Sequence, residues 1–472
     1  IDTAEKFSSL NPARKRQVVG RFPAGTPELA RRAIAAASAA YASWSATPVA
    51  QRVELLIETA RLIRENKYRF AACMVFEVGK TWAEADADVA EAIDFAEFYA
   101  REMLRFSKPQ SLVPVPGERN NLCYIPLGVG AVIPPWNFPL AIMAGMTLAS
   151  VVTGNTAVLK PSSDSPTVAY KFFEVLEQAG MPPGVVNFLP GPGGSAGESL
   201  VSDPRTRFIA FTGSKDAGLR IHELASRRAP GQLWIKRTIL EMGGKDSILV
   251  DSEADLDLAV EGVVVSAFGF QGQKCSACSR AIVVDTVYDA FLARLKERVE
   301  KIAVGAPEDP GTDMGPVINS KAKKSILGYI EAGKKEGRLL AGGREASGDG
   351  HYLEPTVIAD VPPKARIAQE EIFGPVLAVI RAGNFDEALE IANNTEYGLT
   401  GSVYTKNRRK IERAVDMFHV GNLYFNRKCT GALVGGHPFG GFNMSGTDSK
   451  AGGPDYLLHF LQAKTIAEKI VP

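Results

Sequence analysis

The sequence predicts an α/β protein built from two doubly wound, Rossmann-like domains. Its 472 residues exceed what a single hydrophobic core usually serves. From Tyr124 onward, short β-like runs alternate with helical patterns, and the alternation resumes after Glu241. Alternation of this kind is typical of parallel sheets covered by helices on both faces, which bind ligands at the carboxyl ends of their strands.

The residues that precede the alternation predict helices. Segment 27–45 is rich in alanine, segment 49–65 repeats apolar residues at three-to-four spacing, and segment 81–106 alternates acidic and apolar faces. Thr26 is expected to cap the first helix, because Pro27 follows it at the first helical position.

The two alternating regions predict strands bounded by nearby Gly or Pro, with helices between them. The first region gives strands 129–133, 156–159, 185–189 and 208–211, and helices 141–152, 165–179 and 217–228. The second gives strands 248–250 and 281–284, and helices 257–268 and 287–304. Segment 114–126 carries a Pro-Gly turn signal and predicts a projecting hairpin, for which residues 457–469 would supply the matching element.

The composition argues against partners with a strong opposite charge. The chain is 45% hydrophobic and 23% charged, and its net charge of +1 provides no basic field for nucleic acid or an anionic membrane. No apolar run approaches the roughly 20 residues that span a bilayer. Five scattered cysteines do not form a disulfide framework and favour a reducing compartment. Since the chain starts at Ile1 rather than Met, a preceding targeting segment stays open.

Three segments punctuated by Gly or Pro carry candidate catalytic residues. Cys275 lies in FGFQGQKCSACSR, Glu241 in LEMGGKD and Asn137 in PPWNFPL. A thiol can attack a carbonyl carbon, an amide N–H can hold the developing oxyanion, and a carboxylate can activate water. Together they indicate oxidation of an aldehyde through a thioester. Taken singly, each also has a structural interpretation: an inert buried thiol, a carboxylate that ends a strand, and an Asx-turn residue.

The order of the motifs resembles the aldehyde dehydrogenase superfamily. PPWNFPL, LKPSS, FTGS, EMGGK, GQKCS, EEIFGPV and PFGG follow one another between about residues 11 and 469. The strings GFQGQKCSACSR and YFNRKCTGALVGG resemble the branch that oxidises glutamate γ-semialdehyde, the open form of 1-pyrroline-5-carboxylate. The resemblance implies a cofactor domain of residues 1–113 and 127–243 and a catalytic domain of residues 244–442. It also implies a small β oligomerisation flap of residues 114–126 and 443–472, and therefore a homo-oligomer.

The resemblance assigns roles to the three catalytic candidates. Cys275 would attack the aldehyde, while the amide of Asn137 and the Cys275 backbone N–H would hold the oxyanion. Backbone N–H groups or Lys274 could stabilise the thiolate. Glu241 would be the general base for deacylation, and its presence favours hydrolysis, because relatives that pass the acyl group to coenzyme A commonly lack this acid.

Cys275 and Cys278 form a C-x-x-C pair. Without a second pair or a neighbouring His this is weak evidence for zinc, and no metal is predicted. Packing of Cys278 in the core is the favoured interpretation, and a disulfide with Cys275 that silences the nucleophile is the alternative.

The chemistry requires a hydride acceptor, and the resemblance implies NAD. Ser214 would open a helix whose N-terminus favours an anion, so that Gly213 and Ser214 would meet the pyrophosphate. GPGGSA at 191–196 formally fits a dinucleotide motif, which Pro192 weakens. Ser163 stands where many NAD-preferring relatives have an acid, so NADP stays open. The remaining cofactor positions are Lys160, which would bond the adenosine ribose, Glu371, which would hold the nicotinamide ribose, and Phe373, Pro135, Trp136 and Gly243.

The substrate is expected between Cys275 and the loop around residue 430. Small residues there offer backbone N–H groups that could form a nest for a carboxylate. By resemblance, the substrate's α-carboxylate would be gripped by Ser276, Gly431 and Ala432, with Lys274 adding positive charge and with Phe138 and Phe439 lining the aliphatic stem.

The sequence thus predicts an NAD(P)-dependent dehydrogenase that converts L-glutamate γ-semialdehyde to L-glutamate in proline degradation. The alternatives are another carboxylated semialdehyde, such as succinate semialdehyde, and a non-catalytic binding module on the same fold. We expect a small-molecule substrate, a homo-oligomer, no nucleic acid or membrane partner, and a cytoplasmic location. The mitochondrial matrix stays open because residues can precede Ile1.

Overall fold

The computed structural model describes residues 3–470. Its helices are α1 (Pro27–Ala46), α2 (Val49–Glu65), α3 (Lys67–Val78), α4 (Trp82–Phe106), α5 (Ala141–Val152), α6 (Pro166–Gln178), α7 (Glu198–Ser202), α8 (Lys215–Ser226), α9 (Leu256–Phe268), α10 (Asp285–Val299), α11 (Ser320–Glu336), α12 (Arg366–Gln369), α13 (Phe385–Asn393) and α14 (Arg408–Met417). Its strands are β1 (Lys6–Asn11), β2 (Arg14–Pro23), β3 (Glu118–Pro126), β4 (Val129–Ile133), β5 (Thr156–Leu159), β6 (Val186–Phe188), β7 (Thr206–Thr212), β8 (Arg237–Glu241), β9 (Asp246–Val250), β10 (Cys278–Val284), β11 (Arg338–Ala341), β12 (Thr356–Ala359), β13 (Val376–Ala382), β14 (Tyr397–Gly398), β15 (Thr400–Tyr404), β16 (Asn422–Phe425), β17 (Phe442–Asn443) and β18 (Leu461–Lys469).

The first large sheet is parallel and has the order β6-β5-β4-β7-β8. The chain moves outward from β4 on one side and then returns to its other side at β7. This reversal creates a crevice at the carboxyl ends of β4 and β7, which is the usual ligand position in such sheets. All five residues of β4 are buried, as expected for a strand covered by helices on both faces.

The second large sheet has the order β11-β12-β13-β10-β9-β15-β16. Only β11 runs antiparallel to its neighbour. The first sheet ends with β8 at Glu241 and the second begins with β9 at Asp246, so residues 242–245 join them directly. The structure therefore confirms the predicted α/β class with two doubly wound units, of which the first has a parallel sheet and the second a mixed sheet with one antiparallel edge strand.

Local signals place several elements as predicted. The side chain of Thr26 accepts a hydrogen bond from the Leu29 N–H, with Pro27 at the start of α1. A capping box between Thr81 and Glu84 opens α4. Other expectations need correction: α10 ends at Val299, so that the predicted helix 287–304 is too long.

The segment predicted as a hairpin at 114–126 turns before Glu118, whose N–H donates to the Val115 oxygen at 3.1 Å, but an isolated bridge between Gln110 and Leu122 is its only strand pairing with the preceding chain in residues 3–470. Instead, β3 pairs with β18 of the same chain in an antiparallel ribbon, from Pro126 opposite Leu461 to Glu118 opposite Lys469. Most of β18 is exposed, so the ribbon projects from the body of the protein. Just before it, Tyr456, Leu457 and Phe460 are buried in the core beneath the first sheet. Across residues 3–470, no helix combines the length and the apolar character needed to cross a membrane.

Candidate active site

A cleft of about 880 Å³ opens at the carboxyl ends of β4 and β7. Its walls come from the ends of β4 and β7, from helices α7, α8 and α11, and from the loops that carry Cys275 and Glu371. The cleft brings together Cys275, Asn137 and every residue predicted for the cofactor, namely Pro135, Trp136, Lys160, Ser163, Gly213, Ser214, Gly243, Glu371 and Phe373.

The backbone that precedes Cys275 adopts an unusual conformation. Phe270 and Gln271 have positive φ angles of 50° and 57°, which bulky residues adopt only where their surroundings hold them. The Phe270 N–H donates to Glu84 at 2.5 Å, and the Gln271 amide donates to the backbone oxygens of Gly79 and Pro316. These contacts turn the chain sharply after α9 and deliver Cys275 to the cleft wall.

The surroundings of the Cys275 thiol favour its protonated form. Burial raises its pKa, and the nearby carboxyl groups of Asp246, Glu241 and Glu371 raise it further. The backbone N–H of Ser276 opposes this shift. Of the two stabilisers expected from the sequence, the structure provides the backbone N–H. The Lys274 ammonium instead points toward Gly269, where an added Cβ would lie 2.9 Å from its Nζ.

Asn137 is buried and connects the two halves of the site. Its Nδ2 donates to the backbone oxygen of Gln273 at 3.0 Å, and Gln273 in turn accepts the Ile318 N–H at 2.9 Å. A primary amide carries two N–H donors, so one remains for an oxyanion next to Cys275. The hydrogen bond fixes Asn137 against the loop that carries the nucleophile.

Glu241 ends β8 and lies deep in the protein. Its Oε1 accepts a short hydrogen bond from the Ser449 hydroxyl, while its Oε2 is buried with no hydrogen-bond partner among the described residues. Burial raises the pKa of Glu241 to about 8, and the hydrogen bond from Ser449 and the charge of Lys450 oppose that rise. A carboxyl group in this range is suited to act as a general base near neutral pH.

Glu371 lies across the Gly-Gly connection between the sheets. Its Oε1 accepts the Gly244 N–H at 3.0 Å, and an added Cβ on Gly243 would lie 2.4 Å from its Oε2. The same connection touches the nucleophile, because a Cβ on Gly244 would lie 2.2 Å from the backbone oxygen of Cys275. Burial raises the pKa of Glu371 to about 7. Only glycine permits both approaches.

The remaining predicted cofactor residues lie at the far end of the cleft. Lys160 Nζ donates to the backbone oxygens of Pro161 and Gly191, at 3.0 Å each, and burial lowers its pKa to about 8. The weaker motif at 191–196 therefore reaches the same cleft, which Gly193 and Gly194 line. Ser214 caps α8, and its hydroxyl accepts the Ala217 N–H at 3.4 Å.

The predicted substrate residues lie outside the walls of this cleft. Ser276 is buried next to the nucleophile, and the Cys429 thiol donates to its backbone oxygen at 3.4 Å. Gly431 has a positive φ of 73°, and Arg427 donates to its backbone oxygen at 3.1 Å. Ala432 follows Gly431 in this loop, and Phe439 makes backbone hydrogen bonds with Ala451.

A buried ion pair supports this region and escaped the sequence analysis. Lys80 Nζ lies 2.6 Å from Asp88 Oδ2, with 1% and 0% of the side chains exposed. The ammonium also lies 4.1 Å from the centroid of Phe138 and 4.8 Å from that of Phe270. Asp88 Oδ1 accepts the Ala141 N–H at the start of α5. In the sequence, Asp88 resembles an ordinary helix-surface residue and Lys80 an ordinary loop residue.

Cys278 packs in the second core, as its favoured interpretation predicted. Its thiol donates to the backbone oxygen of Arg280 at 3.5 Å. All five cysteines are free. Within residues 3–470, no group of His, Cys, Asp and Glu side chains is arranged to hold a metal ion.

The fold and this site are those of a thiol-dependent dehydrogenase, and the chain belongs to the aldehyde dehydrogenase family, whose sequence model matches residues 1–466. It is 59% identical over 468 residues to the 1-pyrroline-5-carboxylate dehydrogenase of Geobacillus sp. (strain WCH70), covering 99% of this chain and 91% of that relative. The structure of 1-pyrroline-5-carboxylate dehydrogenase from Thermus with bound NAD is 54% identical, with a TM-score of 0.98 over 99% of this chain and 91% of the other. The structure of betaine aldehyde dehydrogenase from Staphylococcus aureus in complex with NAD⁺ is 30% identical, with a TM-score of 0.94 over 100% of this chain and 94% of the other. The resemblance read from the motifs is thereby confirmed.

Proposed function

We propose that this protein is an NAD-dependent dehydrogenase that oxidises L-glutamate γ-semialdehyde to L-glutamate in proline degradation. The observation that carries the proposal is the assembly of all predicted cofactor residues and Cys275 around one cleft. High identity over nearly the whole chain to relatives named 1-pyrroline-5-carboxylate dehydrogenase supports the substrate.

The cleft fits a dinucleotide. The N-terminus of α8 at Ser214 would face the pyrophosphate, and Lys160 and Glu371 would bond the two riboses, one at each end of the cleft. Gly243 leaves open the space that a side chain would fill beside Glu371. When bound, the nicotinamide ring accepts the hydride that leaves the substrate carbon.

The protein's own residues account for the other steps. The sulfur of Cys275 bonds to the aldehyde carbon, and the thiol proton passes to a base or to solvent, because burial and the neighbouring carboxyl groups raise the pKa of the thiol. The free N–H of Asn137 and the Cys275 backbone N–H hold the negative oxygen; each such donor is worth about 3 kcal/mol. Glu241 then takes a proton from the water that cleaves the thioester.

The loop around Gly431 would supply the carboxylate contacts. We propose that the backbone N–H groups of Gly431 and Ala432 and the hydroxyl of Ser276 bind the α-carboxylate, while Lys274 adds positive charge. Phe138 and Phe439 would contact the aliphatic stem. Succinate semialdehyde, which lacks the α-amino group, is the alternative substrate.

NAD is the proposed cofactor, with NADP accepted more weakly. Ser163 lines the cleft, so no carboxylate at that position repels a 2′-phosphate. The neighbouring Asp164 also lines the cleft, and burial raises its pKa. Its carboxylate accepts a hydrogen bond from the Asn319 amide at 3.2 Å.

We also propose that the protein is cytoplasmic and that it is a homo-oligomer. The projecting β3–β18 ribbon supports the oligomer, because an isolated two-stranded ribbon is marginally stable at best in water. In this proposal residues 1–113 and 127–243 form the cofactor domain and residues 244–442 the catalytic domain. Residues 114–126 and 443–472 would supply the flap, of which the β3–β18 ribbon is the projecting part.

NADH formation with glutamate γ-semialdehyde, measured beside succinate semialdehyde, tests the proposal. We expect strong preference for the first substrate and no turnover in Cys275→Ala. Equal or reversed preference would contradict the carboxylate contacts of Gly431 and Ala432. Turnover with neither substrate, together with a Cys275 thiol that resists labelling, would favour the non-catalytic binding module.

A further inference from the structure

The two oxygens of the Glu241 carboxylate have different surroundings. Oε1 accepts a hydrogen bond from the hydroxyl of Ser449, whereas Oε2 is buried without a partner among residues 3–470. Gly440 makes room for this arrangement, since an added Cβ there would lie 3.1 Å from Oε1. An unpaired buried carboxylate oxygen is costly and therefore has strong affinity for a proton donor.

The turn that carries Ser449 is built unusually. Asp448 and Lys450, on either side of it, both have a φ of 52°, a left-handed conformation that non-glycine residues rarely adopt. Lys450 Nζ holds the turn by donating to the backbone oxygens of Gly421 and Gly440 at 2.7 and 2.8 Å. Backbone strain of this kind persists where the surroundings fix a side chain for a purpose. Here the side chain is that of Ser449, which is 1% exposed and directed at Glu241.

We propose that Ser449 is a positioning residue for the hydrolytic half of the reaction, in which it holds one oxygen of Glu241 so that the other is presented to water. The inference rests on the proposed function. Because Ser449 donates to the ionised carboxylate, it also keeps Glu241 available as a base at lower pH than burial alone would allow.

In the hydrolytic step, Glu241 is the only side chain that accepts and returns a proton. The water oxygen bonds to the acyl carbon, and one water proton passes to Oε2 of Glu241. The carbon–sulfur bond then breaks, and Cys275 leaves as a thiolate with the electron pair. Glu241 returns the proton to the thiolate, and the carboxylic acid product loses its own proton to solvent. No oxidant or further reactant is needed.

The test measures deacylation directly. Enzyme, NAD and glutamate γ-semialdehyde are mixed, the reaction is quenched at intervals, and the Cys275 acyl adduct is followed by intact mass between pH 6 and 10. For Ser449→Ala we expect adduct formation at the wild-type rate and decay about tenfold or more slower at pH 7. In the pH profile of the decay rate, the fall on the acidic side (the acid limb) should move to higher pH by about one to two units, because Glu241 loses a hydrogen bond to its charged form.

Three further variants separate positioning from general damage. Ser449→Thr keeps the hydroxyl and should restore most of the decay rate. Ser445→Ala removes a buried hydroxyl in the same segment, which accepts the Gly398 N–H at 3.1 Å, and should leave the acid limb in place. Glu241→Gln should abolish the limb and so identify its origin.

Two results would overturn the inference. If Ser449→Ala leaves the acid limb unmoved while Glu241→Gln abolishes it, Ser449 does not position the base, although the proposed function stands. If no adduct forms on Cys275 of the wild-type enzyme with either semialdehyde, the proposed function fails and this inference fails with it.

Discussion

Removal of one charge from the buried Lys80–Asp88 pair should destabilise the protein strongly. The substitution Asp88→Asn keeps an oxygen for the Ala141 N–H but leaves the Lys80 ammonium, which is 1% exposed, without its counter-ion. Breaking a buried pair in this way costs about 3–5 kcal/mol. The rings of Phe138 and Phe270 remain beside the ammonium and offset part of the loss, at about 0.5–2 kcal/mol for such contacts. We therefore expect a loss near the lower end, about 3 kcal/mol.

Urea-induced unfolding of a set of variants measures this loss. The double variant Lys80→Met/Asp88→Asn removes both charges and should regain stability to within about 1 kcal/mol of wild type. Glu261→Gln is the matched control, because Glu261 pairs with Arg298 at 2.8 Å but is half exposed, and surface pairs contribute about 0–1 kcal/mol.

The reasoning would be refuted if Asp88→Asn lost no more stability than Glu261→Gln. It would also be refuted if the double variant lost the sum of the losses measured for Asp88→Asn and for Lys80→Met alone, because the two charges would then be energetically independent.

Four further outcomes are expected at the catalytic site. Burial raises the pKa of Glu241 to about 8, so the rate at which the Cys275 acyl adduct decays should increase with pH through pH 8. At pH 7 this rate should be about tenfold below its high-pH plateau. In Glu241→Gln the decay rate should fall by roughly 10²–10⁴. Asn137→Ala should lower kcat by about 100-fold or more in steady-state assays, through loss of one oxyanion donor. Gly243→Ala places a methyl group 2.4 Å from Glu371 Oε2, so the KM for NAD should rise and the affinity measured by fluorescence titration should fall. Ser163→Glu should reduce kcat/KM with NADP much more than with NAD, by repulsion of the 2′-phosphate.

The sequence predicts elements well where a local signal coincides with a periodic pattern. Thr26 and Pro27 mark the start of α1, and the apolar run of β4 was located at its observed bounds. The sequence does not predict the hairpin of β1 and β2, because apolar and polar residue types do not alternate along these two strands. Helix α3 was missed because only Asn66 separates it from α2.

In the candidate site, too, the sequence predicts the residues that lie in local motifs and misses those that depend on tertiary contacts. Cys275, Asn137 and Glu241 were found because each lies in a motif with a Gly or Pro signature. Ser449 was not found, since it meets Glu241 across 208 positions of the chain. Its proposed role depends on Asp448 and Lys450, whose left-handed backbone conformation their residue types do not predict. A contact of that kind exists only after tertiary folding.

The short connection of residues 242–245 limits how this enzyme can be recombined. Its four residues reach at most about 14 Å when fully extended. Gly243 and Gly244 are in addition wedged between Glu371 and Cys275. A chimera that joined another relative's nucleotide-binding half to this catalytic half at that point would have no slack to absorb a mismatch. Library crossovers are better placed in exposed loops such as residues 347–349, where an inserted residue displaces neither Gly243 nor Gly244.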